Sequence, residues 1–125
     1  MKPHFILYVH DQKAATDFYS AVLEAEPRLH VLGMTEFELN DGAVLGLMPA
    51  VSASRLVGRN IDVSGLAENP CAEIYLIVDD PSAFHSRALQ NGGTEISPLK
   101  ERDWGHDAAY STDLSGHVLA FAREL

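Results

Sequence analysis

Residues 4 to 9 fall into two alternating sets, with Phe5, Leu7 and Val9 on one side and His4, Ile6 and Tyr8 on the other. That is the two-residue period of a strand. Asp11 then stands where a helix N-cap is wanted, and Ala14, Phe18 and Val22 recur with Ala15, Tyr19 and Leu23 at three-to-four spacing. The spacing predicts a helix from about Gln12 to Glu24, closed by Pro27. Three short strand-like runs follow at 28–32, 35–39 and 43–48, separated by Gly33 and by the turn Asn40-Asp41-Gly42. The order is βαβββ.

The second half repeats that order. Glu73-Ile-Tyr-Leu-Ile-Val-Asp-Asp80 matches His4-Phe-Ile-Leu-Tyr-Val-His-Asp11, and one offset relates both ends of the two segments. Ile74, Leu76 and Val78 take the places of Phe5, Leu7 and Val9, Asp80 caps the next helix, and Pro81 occupies its first turn. Asn91-Gly92-Gly93 stops that helix. Strands are expected at 94–97, 107–112 and 117–121, the last two joined by Asp113-Leu114-Ser115-Gly116. A duplicated half of this size must bury its apolar face against its copy. The expectation is one domain over 1–125, with module one at 1–49, a linker at 50–71 and module two at 72–125. The linker has no sustained period beyond one helical turn around Leu56, Val57 and Ile61, and its length suggests a crossing over the sheet or a subunit boundary, or a lid. Arg55 and Arg59 within it read as solvated charges.

Composition narrows the function classes. The chain has 125 residues, 46% of them hydrophobic, enough for one real core and too few for two ordinary domains. A net charge of −9 with only nine Lys and Arg argues against a nucleic-acid partner. Cys71 is the lone cysteine and reads as a small buried side chain. The N-terminus lacks an apolar core region and no apolar run approaches membrane-spanning length, so a cytoplasmic protein without a membrane partner is expected.

The opening His4-x-x-Leu7-x-Val9-x-Asp11 with Phe18-Tyr19, the second opening Glu73-x-x-Leu76-x-Val78-Asp79-Asp80, and the closing Arg102-Asp103-Trp104-Gly105 with Asp113-x-x-Gly116-His117 together resemble the vicinal oxygen chelate superfamily. That superfamily includes glyoxalase I, bleomycin-resistance proteins, fosfomycin-resistance proteins and extradiol dioxygenases. The resemblance implies an α+β fold in which two paired βαβββ modules form a partly closed, eight-stranded cup with helices outside. Strand phase points the same way: Phe5, Leu7, Val9, Ile74, Leu76 and Val78 suit a helix-covered face, so the opposite faces line the cup. Those faces carry His4, Ile6, Tyr8, Val44, Gly46, Met48, Glu73, Tyr75, Ile77, Val118 and Ala120, with Trp104 and Tyr110 near the rim. Such a lining, mainly apolar with a few polar groups, suits a small organic ligand. Tyr8, Met48, Tyr75, Trp104 and Tyr110 are the expected ligand-binding residues.

Metal-dependent relatives place one ligand on the first strand of each module and one on the last. The resemblance maps these positions onto His4, Gly46, Glu73 and Ala120, and two of the four cannot ligate. A transition metal normally takes three or four protein ligands, so no complete metal centre is expected, and a weakly held divalent ion such as magnesium is the one cofactor left open. Glu36 and Glu38, on the third strand, would need a shifted register to help. The leading expectation is a metal-independent small-molecule binder in the manner of the bleomycin-resistance proteins, which are acidic homodimers. The alternative is a metal-dependent or Glu73-based lyase, isomerase or dioxygenase of the glyoxalase type, in which Glu73 is the base and His4 its partner. A third reading is an accessory domain whose modules serve dimerisation. A plainer role for His4 is a strand-end residue held by a backbone carbonyl or by Glu73. His10, His30, His85, His106 and His117 show no ligand spacing and read as surface residues.

Overall fold

The computed structural model describes residues 1–125. Its elements run β1 (His4–Val9), α1 (Gln12–Leu23), β2 (Leu29–Val31), β3 (Met34–Asn40), β4 (Ala43–Pro49), α2 (Ala50–Val57), β5 (Glu73–Ile77), α3 (Pro81–Gln90), β6 (Glu95–Glu101), β7 (His106–Thr112) and β8 (Val118–Glu124). The caps explain the principal helix starts. Asp11 accepts from the Ala14 amide at 3.0 Å and Asp80 from the Ala83 amide at 3.1 Å, each satisfying a first-turn donor that has no partner within its helix.

Two four-stranded sheets result, in the orders β1-β4-β3-β2 and β5-β8-β7-β6, each with one parallel pair and two antiparallel ones. This is the α+β cup architecture with duplicated halves, and it does not close into a barrel. Val9, Phe37, Leu45 and Leu47 of the first sheet and Leu119 and Phe121 of the second are buried in a single cluster with Phe18, Tyr19 and Val22 of α1 and Ala88 of α3. Each large side chain so buried contributes about 1.5–3 kcal/mol. The helices therefore cover one face of each sheet, and the even-numbered residues of β1 and the odd-numbered residues of β5 lie on the other.

Three contacts weld the halves. Tyr19 donates its phenol proton to Asp113 Oδ2 at 2.7 Å in a buried bond, while Asp113 Oδ1 accepts from the amides of Ser115 and His117 at 3.0 and 2.9 Å. His117 Nε2 lies 2.7 Å from the carbonyl oxygen of Tyr8. Arg87 of α3 donates to the Val22 carbonyl at 3.0 Å and stacks its guanidinium 4.4 Å from the Phe84 ring centre.

Several expectations need correction. The linker opens with a true helix, α2, which buries only Ala53 and leaves Val51, Leu56 and Val57 exposed. At eight residues it spans only about two turns, too short to set up a sustained period in the sequence. Cys71 is exposed. Phe5 shares the phase of Leu7 and Val9 but is 50% exposed. His85 is buried with Nε2 2.9 Å from Glu95, and both His106 and His117 bond to other parts of the chain, so these three are not free surface residues.

Candidate functional site

The first sheet presents His4, Ile6 and Tyr8 of β1, Val44, Gly46 and Met48 of β4, and Met34, Glu36 and Glu38 of β3 on its open face. The register sets Ile6, Gly46 and Glu36 in one row and His4, Val44 and Glu38 in the next. Counting back from Asn40↔Ala43 would pair Glu36 with Leu47, on the helix side. A β-bulge between Glu38 and Asn40 moves the pairing by one residue and turns both glutamates to the open face. This is the shifted register without which Glu36 and Glu38 could not reach the open face.

Glu36 is then tied down. It accepts from Arg28 Nε at 2.9 Å and lies 3.5 Å from His4 Nδ1. Arg28 also donates to Glu38 at 3.1 Å, and Lys2 approaches the same carboxylate at 3.4 Å. The Arg28 bond and the Lys2 charge hold Glu38 below the usual carboxylate range, and the Glu36 and Glu38 bonds raise Arg28. His4 thus has Glu36 as its acidic neighbour, not Glu73. Tyr8 and Met48 sit side by side in register on this sheet.

On the second sheet the open face carries Glu73, Tyr75 and Ile77 of β5, Val118, Ala120 and Ala122 of β8, and His106, Ala108, Tyr110 and Thr112 of β7. Tyr75, Ala120 and Tyr110 form one row. Tyr75 Oη lies 2.7 Å from His106 Nδ1 and accepts from Trp104 Nε1 at 3.0 Å. Arg102 lies 5.0 Å from the Tyr110 ring centre, and its Nε and Nη2 donate to Ser97 Oγ and the carbonyls of Pro98 and Ala108. Burial, then the Glu73 charge, then Tyr75, raise the Tyr110 phenol, with Arg102 opposing. Glu73 is exposed and forms no ion pair.

The edges of β1 and β5 flank a cleft of ≈ 440 Å³, lined by Phe5, Leu39, Asn40 and Ala43 on one side and by Glu73 to Ile77 on the other. A second hollow of ≈ 320 Å³ lies where Ile61, Val63, Leu66 and Pro70 of the linker pass Ile6, Leu7 and Tyr8. The structure thus brings Tyr75, Trp104 and Tyr110 to one wall, and Tyr8 and Met48 to another.

A metal does not fit the family positions. A side chain at position 46 would run into Ile6 Cδ1 and sit 3.3 Å from Met34 Sδ, so Ile6 would have to turn its terminal methyl away to admit one. Ala120 is fully buried between the rows of Tyr75 and Tyr110. No three His, Cys, Asp or Glu side chains converge as a metal-holding group. Arg28 was not picked out from sequence, Arg102 stood only in the family motif, His106 was read as a surface residue, and Glu36 was named only as needing a shifted register. The parity of His106 with Tyr110 could have signalled its face, whereas the bulge that turns Glu36 has no sequence mark.

Comparison with known proteins places these features. The chain superposes on a glyoxalase-related enzyme from Fulvimarina pelagi with a TM-score of 0.87 at 18% identity, covering 99% of this chain and 88% of that one. A hypothetical protein from S. aureus gives 0.82 at 17% identity, over 98% and 93% of the two chains. A glyoxalase/bleomycin resistance protein/dioxygenase from Nocardioides gives 0.72 at 21%, over 100% and 83%. At these identities the likeness is one of fold. No curated protein sequence matches the chain. A sequence profile matches residues 3–121, and on that match the chain belongs to the Glyoxalase/Bleomycin resistance protein/Dioxygenase superfamily.

Proposed function

We propose that this protein binds a small organic molecule on the open faces of its sheets and does so without a complete metal centre. The observation that carries the reading is the crowding at Gly46: Ile6 and Met34 occupy the space that a ligating side chain would need. Glu36, the nearest carboxylate on that face, is engaged by Arg28. Tyr8 and Met48 on one sheet and Tyr75, Trp104 and Tyr110 on the other supply apolar and aromatic surface with a few hydroxyls, the composition that small-ligand sites favour. Glu73 and Tyr75 line the cleft between the sheets, and Tyr8 lines the hollow beneath the linker, so both walls adjoin space that a small molecule could enter.

The test is a thermal-shift screen of small organic molecules on protein stripped with EDTA, repeated after adding back divalent metals. Hits should raise the melting temperature equally in both series. A ligand whose effect vanishes on chelation and returns with one metal would refute the reading.

A further inference from the structure

The phenol of Tyr75 is gripped from two sides. An indole N–H can only donate, so Trp104 occupies an acceptor position on Tyr75 Oη. The 2.7 Å contact with His106 Nδ1 can run either way. When Nδ1 carries no proton, Tyr75 donates to it. When Nδ1 is protonated, His106 donates instead, two donors converge on the phenol oxygen, and the phenol proton is released toward the open face. Donors on its oxygen make a hydroxyl a stronger donor in turn.

The surroundings restrict what could accept that proton. Glu73 stands two residues earlier on the same face, and the chain carries a net charge of −9, so an anionic acceptor is repelled. Arg102, the nearest cation to Tyr110, turns its Nε and Nη2 donors onto protein oxygens, which leaves Nη1 alone without a protein partner and most of its donor capacity already engaged. Tyr75 and Tyr110 flank Ala120 in one row and its methyl group is fully buried between them, so a ligand would meet the ring surfaces, with Trp104 55% exposed beside them. We infer that Tyr75, backed by His106 and Trp104, is the hydrogen-bond donor that recognises a neutral carbonyl oxygen on a flat, uncharged ligand. This deepens the proposed function and rests on it.

Acetophenone and ethylbenzene form a matched probe pair, alike in shape except for the carbonyl oxygen. Titration by calorimetry should show acetophenone binding about tenfold more tightly, the size of one well-made hydrogen bond. In Tyr75→Phe that preference should disappear while ethylbenzene affinity holds. The infrared band of isotope-labelled acetophenone bound to the wild-type protein should move to lower wavenumber, as an accepted hydrogen bond requires, and this needs no variant to fold. Equal affinity for both probes, an unshifted carbonyl band, or an undiminished preference in Tyr75→Phe would overturn the inference while leaving the binding function standing. If neither probe binds the wild-type protein, the inference falls with the function beneath it.

Discussion

Tyr19 and Asp113 show how much one side-chain pair can carry. The phenol is fully buried, and desolvation first, then the neighbouring carboxylate, pushes its ionisation well above the ordinary 10.0. Above pH 10.0 the unfolded chain loses that proton while the folded chain keeps it, so the folded state binds more protons and stability falls as pH rises. Urea unfolding of the wild-type protein should therefore weaken steadily above about pH 10, and Tyr19→Phe should flatten that decline. At neutral pH the same variant should cost about 1–3 kcal/mol, because Asp113 is left buried without its partner. A pH dependence identical in both proteins would show that Tyr19 does not couple to folding.

Among the elements, β3 and β4 illustrate the difference between a strand and its register. Both strands were legible from alternation and from the Asn40-Asp41-Gly42 turn, because those signals are local. The bulge beyond Glu38 was not, since an extra residue in one strand leaves the period of each run intact on either side. The helix α2 was only partly legible, because its eight residues make about two turns and repeat its apolar side too few times to register as a period. Packing within the same ladder makes a sharp expectation. Gly46→Ala should destabilise the protein by no more than about 1 kcal/mol, because the terminal methyl of Ile6 can turn away from the added Cβ, and pairing it with Ile6→Ala should cost less than the two single effects summed. Strict additivity of the two changes, measured by chemical denaturation, would remove Ile6 as the cause.

The whole molecule is held together through its helix layer. The sheets share no hydrogen-bonded strand pair, yet one buried cluster runs from Phe37 and Leu45 through α1 to Ala88, Leu119 and Phe121. The Tyr19–Asp113 and His117–Tyr8 bonds cross the same boundary. A core shared in this way predicts one cooperative transition: far-ultraviolet circular dichroism and the fluorescence of Trp104, the sole tryptophan, should report the same midpoint. Two separated midpoints would mean that the halves unfold independently. The arrangement also leaves both open faces, with the cleft between β1 and β5, outside the shared core.

The order βαβββ twice over, the caps at Asp11 and Asp80 and the two alternating sides of β1 and β5 were determined by sequence alone. Each follows from neighbours a few residues apart, whose spacing is set by the backbone repeat. Which open-face residues meet was decided only by the tertiary structure. Glu36 reaches His4 because of a bulge, Tyr75 meets His106 and Trp104 because two strands and a turn converge, and Tyr19 finds Asp113 across 94 positions of chain. Such pairings depend on register and on the docking of one half against the other, and a shift of a single residue reverses the face of every side chain beyond it.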